Sequence, residues 1–279
     1  MQIRLTILSE NTVGSTARGL LGEWGLSILI EVDGEFILMD TGGGVVAANN
    51  ADALGLDLRK VSRIVLSHGH YDHTGGLRNI LAKTGEVEVI AHPDIWAPKY
   101  ARPEGEPERY IGIPFVREEL ESLGASFTLS REPVWLTDQI VTTGEIPMKT
   151  EFESIDPQLY VRKGGVWQPD ELLDDRALII KTEEGLVVIL GCAHRGAVNT
   201  LKHAQEMTGE ERIYAVVGGM HLMVAAEERV LLTAATLQEL GVKRVAASHC
   251  TGLPAASLLA QQLGESFIWG SVGTQLTLP

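Results

Sequence analysis

The sequence predicts an α/β protein in which two β-sheets pack together and helices cover their outer sides. Three observations carry this expectation. The first ninety residues read as strands followed by a strand-loop-helix unit. From residue 174 onward the pattern alternates strand and helix, and no internal repeat or low-complexity tract interrupts either half. A chain of 279 residues can bury a full core, and 44% hydrophobic with 22% charged residues is ordinary for a globular protein.

Taken in order, residues 1–8 alternate like a strand and lack the apolar block and small-residue cleavage site of a signal peptide. Residues 26–32 and 35–39 flank Asp33-Gly34, a strong short hairpin signal. The second of these strands runs into Asp40-Thr41-Gly42-Gly43-Gly44, where glycines permit a tight turn. Residues 61–66 form a β-branched run. A helix is expected to begin near His73 or Thr74 and to pass through Leu77, Ile80 and Leu81, despite two early glycines. Residues 87–91 then read as a strand.

Residues 93–169 differ in character. Nine of the eleven prolines and nine of the fifteen aromatic residues fall there. Proline at this density breaks helices and central strands, yet a disordered linker would be poor in aromatics. The expectation is an ordered, irregular excursion, either loops over a sheet face or a lid that encloses substrate. Residues 176–181 and 186–190 read as a hairpin, followed by a helix through Val198, Leu201 and Ala204. A strand at 213–217, a helix from about 227 to 240, a strand at 242–247, a short helix near 255–263 and a terminal segment at 267–278 complete the chain. The whole is expected to be one domain, 1–279, with 93–169 as an insertion or lid.

Composition narrows the function. A formal charge of −14 and a pI near 5.0 argue against broad attraction to nucleic acid. No stretch approaches the roughly 20 consecutive apolar residues a membrane span needs. Only two cysteines are present, too few for a disulfide framework, so a reducing cytoplasm is the expected setting. Both lie beside histidines: Cys192 two before His194, Cys250 directly after His249.

The chemistry gathers in His68-Gly69-His70-Tyr71-Asp72-His73, three histidines and an aspartate within six residues. Neutral imidazole suits zinc, iron, copper and nickel, and a carboxylate adds charge for a second ion. The strand ends at Ser67, so His68 and His70 lie in a turn and can converge on one ion. Asp72 and His73, at or just before the helix N-terminus, aim at a neighbouring point. Zincins instead place two histidines four apart on one helical face. A turn carrying surface histidines is the bland alternative, and this density of ligands in one turn argues against it.

On these residues the sequence resembles the metallo-β-lactamase superfamily, whose signature is His-X-His-X-Asp-His after a strand, and the resemblance spans nearly the whole chain. It implies a four-layer αββα sandwich with a dinuclear site where the two sheets meet. Asp40 matches the superfamily's early aspartate, which orients the histidine loop through hydrogen bonds; an ordinary turn aspartate beside glycines is the bland alternative. The remaining ligands are expected from the C-terminal half, where His194, His221 and His249 each follow an apolar strand and so share one sheet edge. His249 best matches the last ligand position and is assigned to the ion of Asp72 and His73; His194 is the next choice. One departure stands out. The superfamily usually has Gly-Asp after this strand, with the aspartate bridging the ions, whereas this chain has Gly191-Cys192, so either Cys192 or His194 substitutes or the site is not a conventional bridged pair. Thiolate coordination by Cys192 would favour zinc or iron. Thr143-Gly144-Glu145 stands where an earlier ligand histidine is usual, and His92 and His203 look peripheral.

The order of Thr143-Gly144-Glu145-Ile146, Asp174-Asp175-Arg176-Ala177-Leu178, Gly218-Gly219-Met220-His221 and His249-Cys250-Thr251-Gly252, with Trp24-Gly25-Leu26-Ser27 earlier, resembles one branch. That branch is the dihydropteroate-synthase-like, dihydropterin ribofuranosylaminobenzene phosphate synthase-like one. The leading expectation is a metal-dependent hydrolase of a phosphorylated or ester-type small molecule, using hydroxide formed from metal-bound water. Two divalent ions are expected, zinc first, with one ion, or iron or manganese, as alternatives. Asp72 serves as ligand and catalytic residue, His221 stabilises the oxyanion or donates a proton, and Arg195 clamps a phosphate or, alternatively, caps local structure. A synthase-type transferase for a pterin-like substrate and a non-catalytic metal-stabilised sensor are the rival expectations.

Overall fold

The computed structural model describes residues 1–14 and 19–279. In the first half, strands β1 (Ile3–Ser9), β2 (Ser27–Val32) and β3 (Glu35–Met39) lead to helix α1 (Val46–Ala53) and strand β4 (Arg63–Val65). Helices α2 (Tyr71–Thr74) and α3 (Leu77–Thr84) and strand β5 (Val87–Ala91) follow. The middle holds β6 (Lys99–Ala101), β7 (Arg109–Tyr110), α4 (Arg117–Ser122), β8 (Ala125–Leu129), β9 (Ile140–Thr142), β10 (Leu159–Lys163) and β11 (Val166–Pro169). The last part comprises β12 (Ala177–Thr182), β13 (Gly185–Leu190), α5 (Ala197–Thr208), β14 (Ile213–Gly219) and α6 (Glu227–Glu239). Strand β15 (Arg244–Ser248), helix α7 (Leu253–Leu263) and strands β16 (Phe267–Trp269) and β17 (Gln275–Leu278) end the chain.

These strands form a seven-stranded sheet of order β17-β1-β2-β3-β4-β5-β8 and a six-stranded sheet of order β16-β15-β14-β13-β12-β9. Each is antiparallel at one end and parallel at the other. Alternation does the layering. On β1, Ile3, Leu5 and Ile7 face the second sheet and meet Leu178, Ile180, Val187, Ile189 and Val217 in one central core. The outward residues of the first sheet pack on α1, α3 and α4. Those of the second pack on α5, α6 and α7. The result is the αββα sandwich that the resemblance implied.

Two expectations need correction. The helix placed from His73 or Thr74 through Leu81 is in fact two, α2 and α3, broken at Gly75-Gly76. Both glycines lie against backbone: a Cβ on Gly76 would fall 1.9 Å from the Thr41 carbonyl oxygen, and one on Gly75 2.2 Å from that of Gly43. The close approach that requires glycine is also what interrupts the helix. Second, 93–169 is more regular than expected. It contributes β8 and β9 to the outer ends of the two large sheets and builds a third, four-stranded sheet of order β11-β10-β6-β7. The prolines sit mostly between its short strands, where a missing amide donor costs nothing.

This third sheet is stitched to the histidine turn. Gly112 bridges His70, and the Tyr71 amide donates to the Ile111 carbonyl at 2.9 Å. From below, the buried Lys99 ammonium of β6 donates to Asp170 at 2.8 Å and Asp174 at 2.9 Å, and the other Asp174 oxygen accepts the Gly69 amide at 2.8 Å. Among the described residues, no helix is long and apolar enough to cross a membrane.

Candidate metal centre

All the singled-out side chains except Arg195 meet at one place, the C-terminal ends of parallel strands in both large sheets. Asp40 follows β3, and His68 to His73 follow β4. Cys192 and His194 follow β13, His221 follows β14, and His249 follows β15. At this edge strand carbonyls run out of partners and loops take over, which is where open α/β sheets build sites. Four of the six non-glycine residues with positive φ among the described residues lie here: Asp40, Ala193, His221 and His249. Such left-handed conformations cost about 1–3 kcal/mol each and persist where the surroundings hold them.

Partners on the outer nitrogens assign the tautomers of three histidines. The Ser67 hydroxyl donates to Asp40 Oδ2 at 2.6 Å, so its oxygen accepts from His68 Nδ1 at 2.8 Å. His73 Nδ1 lies 2.7 Å from Asp40 Oδ2. His249 Nδ1 lies 3.0 Å from Asn11 Oδ1, which also accepts the Gly25 amide. In each case the outer nitrogen carries the proton and Nε2 turns inward. Those inward nitrogens meet other ligand atoms. His68 Nε2 is 3.0 Å from His70 Nδ1 and 3.2 Å from His194 Nε2. His73 Nε2 is 3.2 Å from His249 Nε2 and 3.0 Å from Cys192 Sγ, and Asp72 Oδ2 is 3.3 Å from His249 Nε2.

At such distances a proton or a cation must lie between each pair of facing nitrogens. His70 Nε2 and His194 Nδ1, both buried, have no hydrogen-bond partner either. The donor set therefore fits metal ions, in two groups: His68, His70 and His194, and Asp72, His73 and His249. Cys192 belongs with both, since its sulfur lies within 4.8 Å of the ligand atoms of His68 and His194 and of His73 and His249. It occupies the shared position for which the sequence comparison expected an aspartate. A further grouping joins Cys192 to His221 and Cys250.

The electrostatics agree with this division. Burial, then the neighbouring histidines, holds the His68 imidazole far below its usual range. Burial likewise lowers His194, and burial together with Lys99 brings His70 down to about 3. All three are neutral ligands at physiological pH. Burial also opposes the charge on His73, but Asp40 and Asp72 outweigh it and push it up to about 9. Asp72, although buried, is held below the usual carboxylate range by His73 and His249. Burial, then Cys250, raises the Cys192 thiol.

Members of both groups, His70 and His194 from one and Asp72 and His249 from the other, line a cavity of about 480 Å³ together with Cys192. Trp24, Tyr71, Arg109 of β7, Gln158 and Val224 also line it. His221 lines it too, its ring 4.2 Å from that of His194 and its Nε2 4.0 Å from Asp156 Oδ2. Burial opposes protonation of His221, but Asp156 and Cys250 prevail and raise it to about 9. Arg195 is elsewhere. Its guanidinium donates to the carbonyls of Ile146 and Glu171 and its amide to Asp175, so it ties loops together and does not line the cavity. This is the capping alternative: a guanidinium bound to two loop carbonyls and turned from the cavity does not clamp a phosphate there. His92 and His203 are peripheral, facing Glu145 and the Thr143 carbonyl.

Several supporting residues carried no sequence signal. Glu10 and Asn11, which hold His249 by its amide and its ring, lie 239 and 238 residues away from it. Asp156 and Arg109 sit in the proline-rich segment without a motif. Asp174 stood in a motif, yet its bond to Gly69 spans 105 residues.

A sandwich of two sheets with a histidine-rich ligand cluster at their shared edge defines a class. Residues 25–195 match the metallo-beta-lactamase superfamily, and the chain belongs to it. It is 35% identical over 277 residues, 95% of this chain and 93% of the relative, to a synthase of Methanocaldococcus jannaschii. That relative is 7,8-dihydropterin-6-methyl-4-(beta-D-ribofuranosyl)-aminobenzene-5'-phosphate synthase. It is 31% identical over 272 residues, 96% of this chain and 98% of the relative, to the uncharacterized protein MJ0448 of the same organism. Among solved structures, Tm1679, a metal-dependent hydrolase of the beta-lactamase superfamily, superposes with a TM-score of 0.83 at 29% identity over 98% of both chains.

Proposed function

We propose that this chain is a metal-dependent hydrolase with a dinuclear centre, acting in the cytoplasm on a phosphorylated or ester-type small molecule. The carrying observation is the inward convergence of histidine ring nitrogens, with Asp72 and Cys192 among them, beside a cavity. His68, His70 and His194 would hold one cation and Asp72, His73 and His249 the other, with Cys192 shared. Zinc suits this mixture of imidazole, carboxylate and thiolate. Bound there, the ions would supply Lewis acidity toward the scissile group and lower the pKa of water.

The chain's own groups do the rest. Asp40, Ser67, Asn11 and Glu10 keep the ligand rings oriented, the support such a site needs. His221, beside the cluster and charged next to Asp156, donates a proton to the leaving group. Arg109, which forms no ion pair or side-chain hydrogen bond among the described residues, offers its forked donors to a phosphate at the cavity wall.

A second reading, favoured by 35% identity along nearly the whole chain, is synthase-type transfer in which a pterin diphosphate meets an aminobenzene ribofuranosyl phosphate and diphosphate leaves. Trp24 and Tyr71 on the wall would then stack a flat ring. One experiment separates the two. Zinc-loaded protein is assayed against phosphodiester, phosphomonoester, lactone and thioester substrates, and against the two-substrate pair with release of diphosphate measured. Turnover of a single substrate that is lost in His70→Ala supports the hydrolase. Diphosphate release that requires both substrates supports the transferase. A preparation that binds less than one ion at saturation refutes both.

A further inference from the structure

The two cysteines are the only ones in the chain, and 57 residues lie between them, yet they meet. Their sulfurs are within 4.8 Å of each other, and Cys250 Sγ lies 3.5 Å from the Cys192 carbonyl oxygen. The arrangement is built in. Cys192 follows β13 and Cys250 follows β15, with β14 between those strands. Flanking strands two apart in a sheet lie about 9–10 Å from each other. The gap closes because β14 ends in Gly218-Gly219. A Cβ on Gly219 would fall 2.6 Å from Cys250 Sγ and 3.4 Å from Cys192 Cα, so the bare glycine lets both loops fold over the end of the middle strand. The His221 amide, 3.3 Å from Cys250 Sγ, further fixes that sulfur. Both cysteines line the 480 Å³ cavity, so a small reagent can reach them although each is nearly buried.

We propose that Cys192 and Cys250 are an oxidisable dithiol, and that closing the disulfide withdraws Cys192 from the metal cluster. The oxidant is a low-molecular-weight disulfide, R–S–S–R. One cysteine sulfur attacks it and expels one R–S⁻, leaving a mixed disulfide. The second cysteine sulfur then attacks the protein sulfur of that bond and expels the other R–S⁻. The two thiol protons go to the two leaving thiolates. In net, two protein thiols and R–S–S–R give one intramolecular disulfide and two R–SH, with two electrons passed to the reagent. The sulfur shared by His73, His249, His68 and His194 then loses the anionic lone pair that binds a cation, so oxidation and metal loading exclude one another. The inference concerns ligand chemistry alone and holds for either catalytic reading.

The test uses the full chain, zinc-loaded and chelator-stripped in parallel, treated with oxidised glutathione. Stripped protein is expected to lose both titratable thiols, to fall in intact mass by two hydrogens, to keep no glutathione and to remain uncrosslinked on a non-reducing gel. Its zinc affinity should drop by about tenfold or more and return on reduction with dithiothreitol. The zinc-loaded protein should resist the reagent. Cys250→Ala cannot close the bond and should carry one glutathione, at Cys192. Stripped wild-type protein that keeps both thiols, holds stable glutathione adducts or crosslinks between chains overturns the proposal. So does oxidised protein that takes up zinc as well as the reduced form, and these wild-type outcomes stand even if the variant fails to fold.

Discussion

At the scale of single residues, Cys192 differs from every other candidate ligand because its sulfur serves two clusters. His73 Nε2 lies 3.0 Å from it, and the ligand atoms of His68 and His194 lie within 4.8 Å of it. The consequences of substitution should differ in kind. His70→Ala and His249→Ala should each remove one bound ion and leave the other, whereas Cys192→Ser should weaken both. Metal content after equilibrium dialysis measures this, and equal, single-ion losses in all three variants would refute a shared thiolate. Proton linkage follows from the same residues. The buried Cys192 thiol is raised and His73 is held protonated up to about 9 while no cation is bound. Both must give up a proton to become ligands, so uptake should release roughly one to two protons and tighten as pH rises toward 9. Calorimetry in two buffers of different ionisation enthalpy reads the number directly; a pH-independent affinity between 6 and 9 would contradict it. The motif from His68 to His73 was legible because its six residues are local. The orienting partners of His249 were not, because residues 10 and 11 follow β1 in one sheet and His249 follows β15 in the other, so they come together only when the two sheets pack.

At the scale of elements, the third sheet is where reading ahead fell short. Its strands are two to five residues long, shorter than any periodicity can establish, and prolines between them mimic irregular loops. What recruits them is packing: Tyr100 lies between Tyr110 and Trp167, with ring centres 5.3 and 4.9 Å apart. The buried Lys99 joins this sheet to the metal loop through Asp174 and Gly69. Lys99→Met should leave two buried carboxylates without a cation and cost about 3–5 kcal/mol, seen as a lower urea midpoint. An unchanged midpoint would mean that the ion group is not holding the loop. The broken helix over 71–84 teaches the same lesson on a smaller scale. Its apolar spacing was correctly read, but the approach of Gly75 and Gly76 to the Thr41 and Gly43 backbone could be known only with β3 and the helix in place.

At the scale of the whole molecule, the last thirteen residues join the two halves. Strand β16 extends the second sheet beside β15, and β17 returns to the first sheet beside β1. The central core likewise draws on both sheets, with Ile3, Leu5 and Ile7 packed among residues beyond 177. We therefore expect 1–279 to unfold as one domain, in a single thermal transition that shifts upward as zinc is added, since a ligand of the folded state alone stabilises it by mass action. Two resolved transitions, only one of them sensitive to metal, would instead assign the sheets to separate folding units.

By itself the sequence determined the alternation of apolar residues that makes the strands and helices, the ligand-dense turn at 68–73, and the family to which that turn belongs. Each is a property of a short window of chain, where spacing and residue chemistry act directly. Tertiary structure alone decided that Cys192 stands between two ligand clusters, that Arg195 ties loops while Arg109 faces the cavity, and that a third sheet covers the site. Those outcomes depend on contacts between residues from 20 to about 120 positions apart, which the closing of the two sheets over one core brings together.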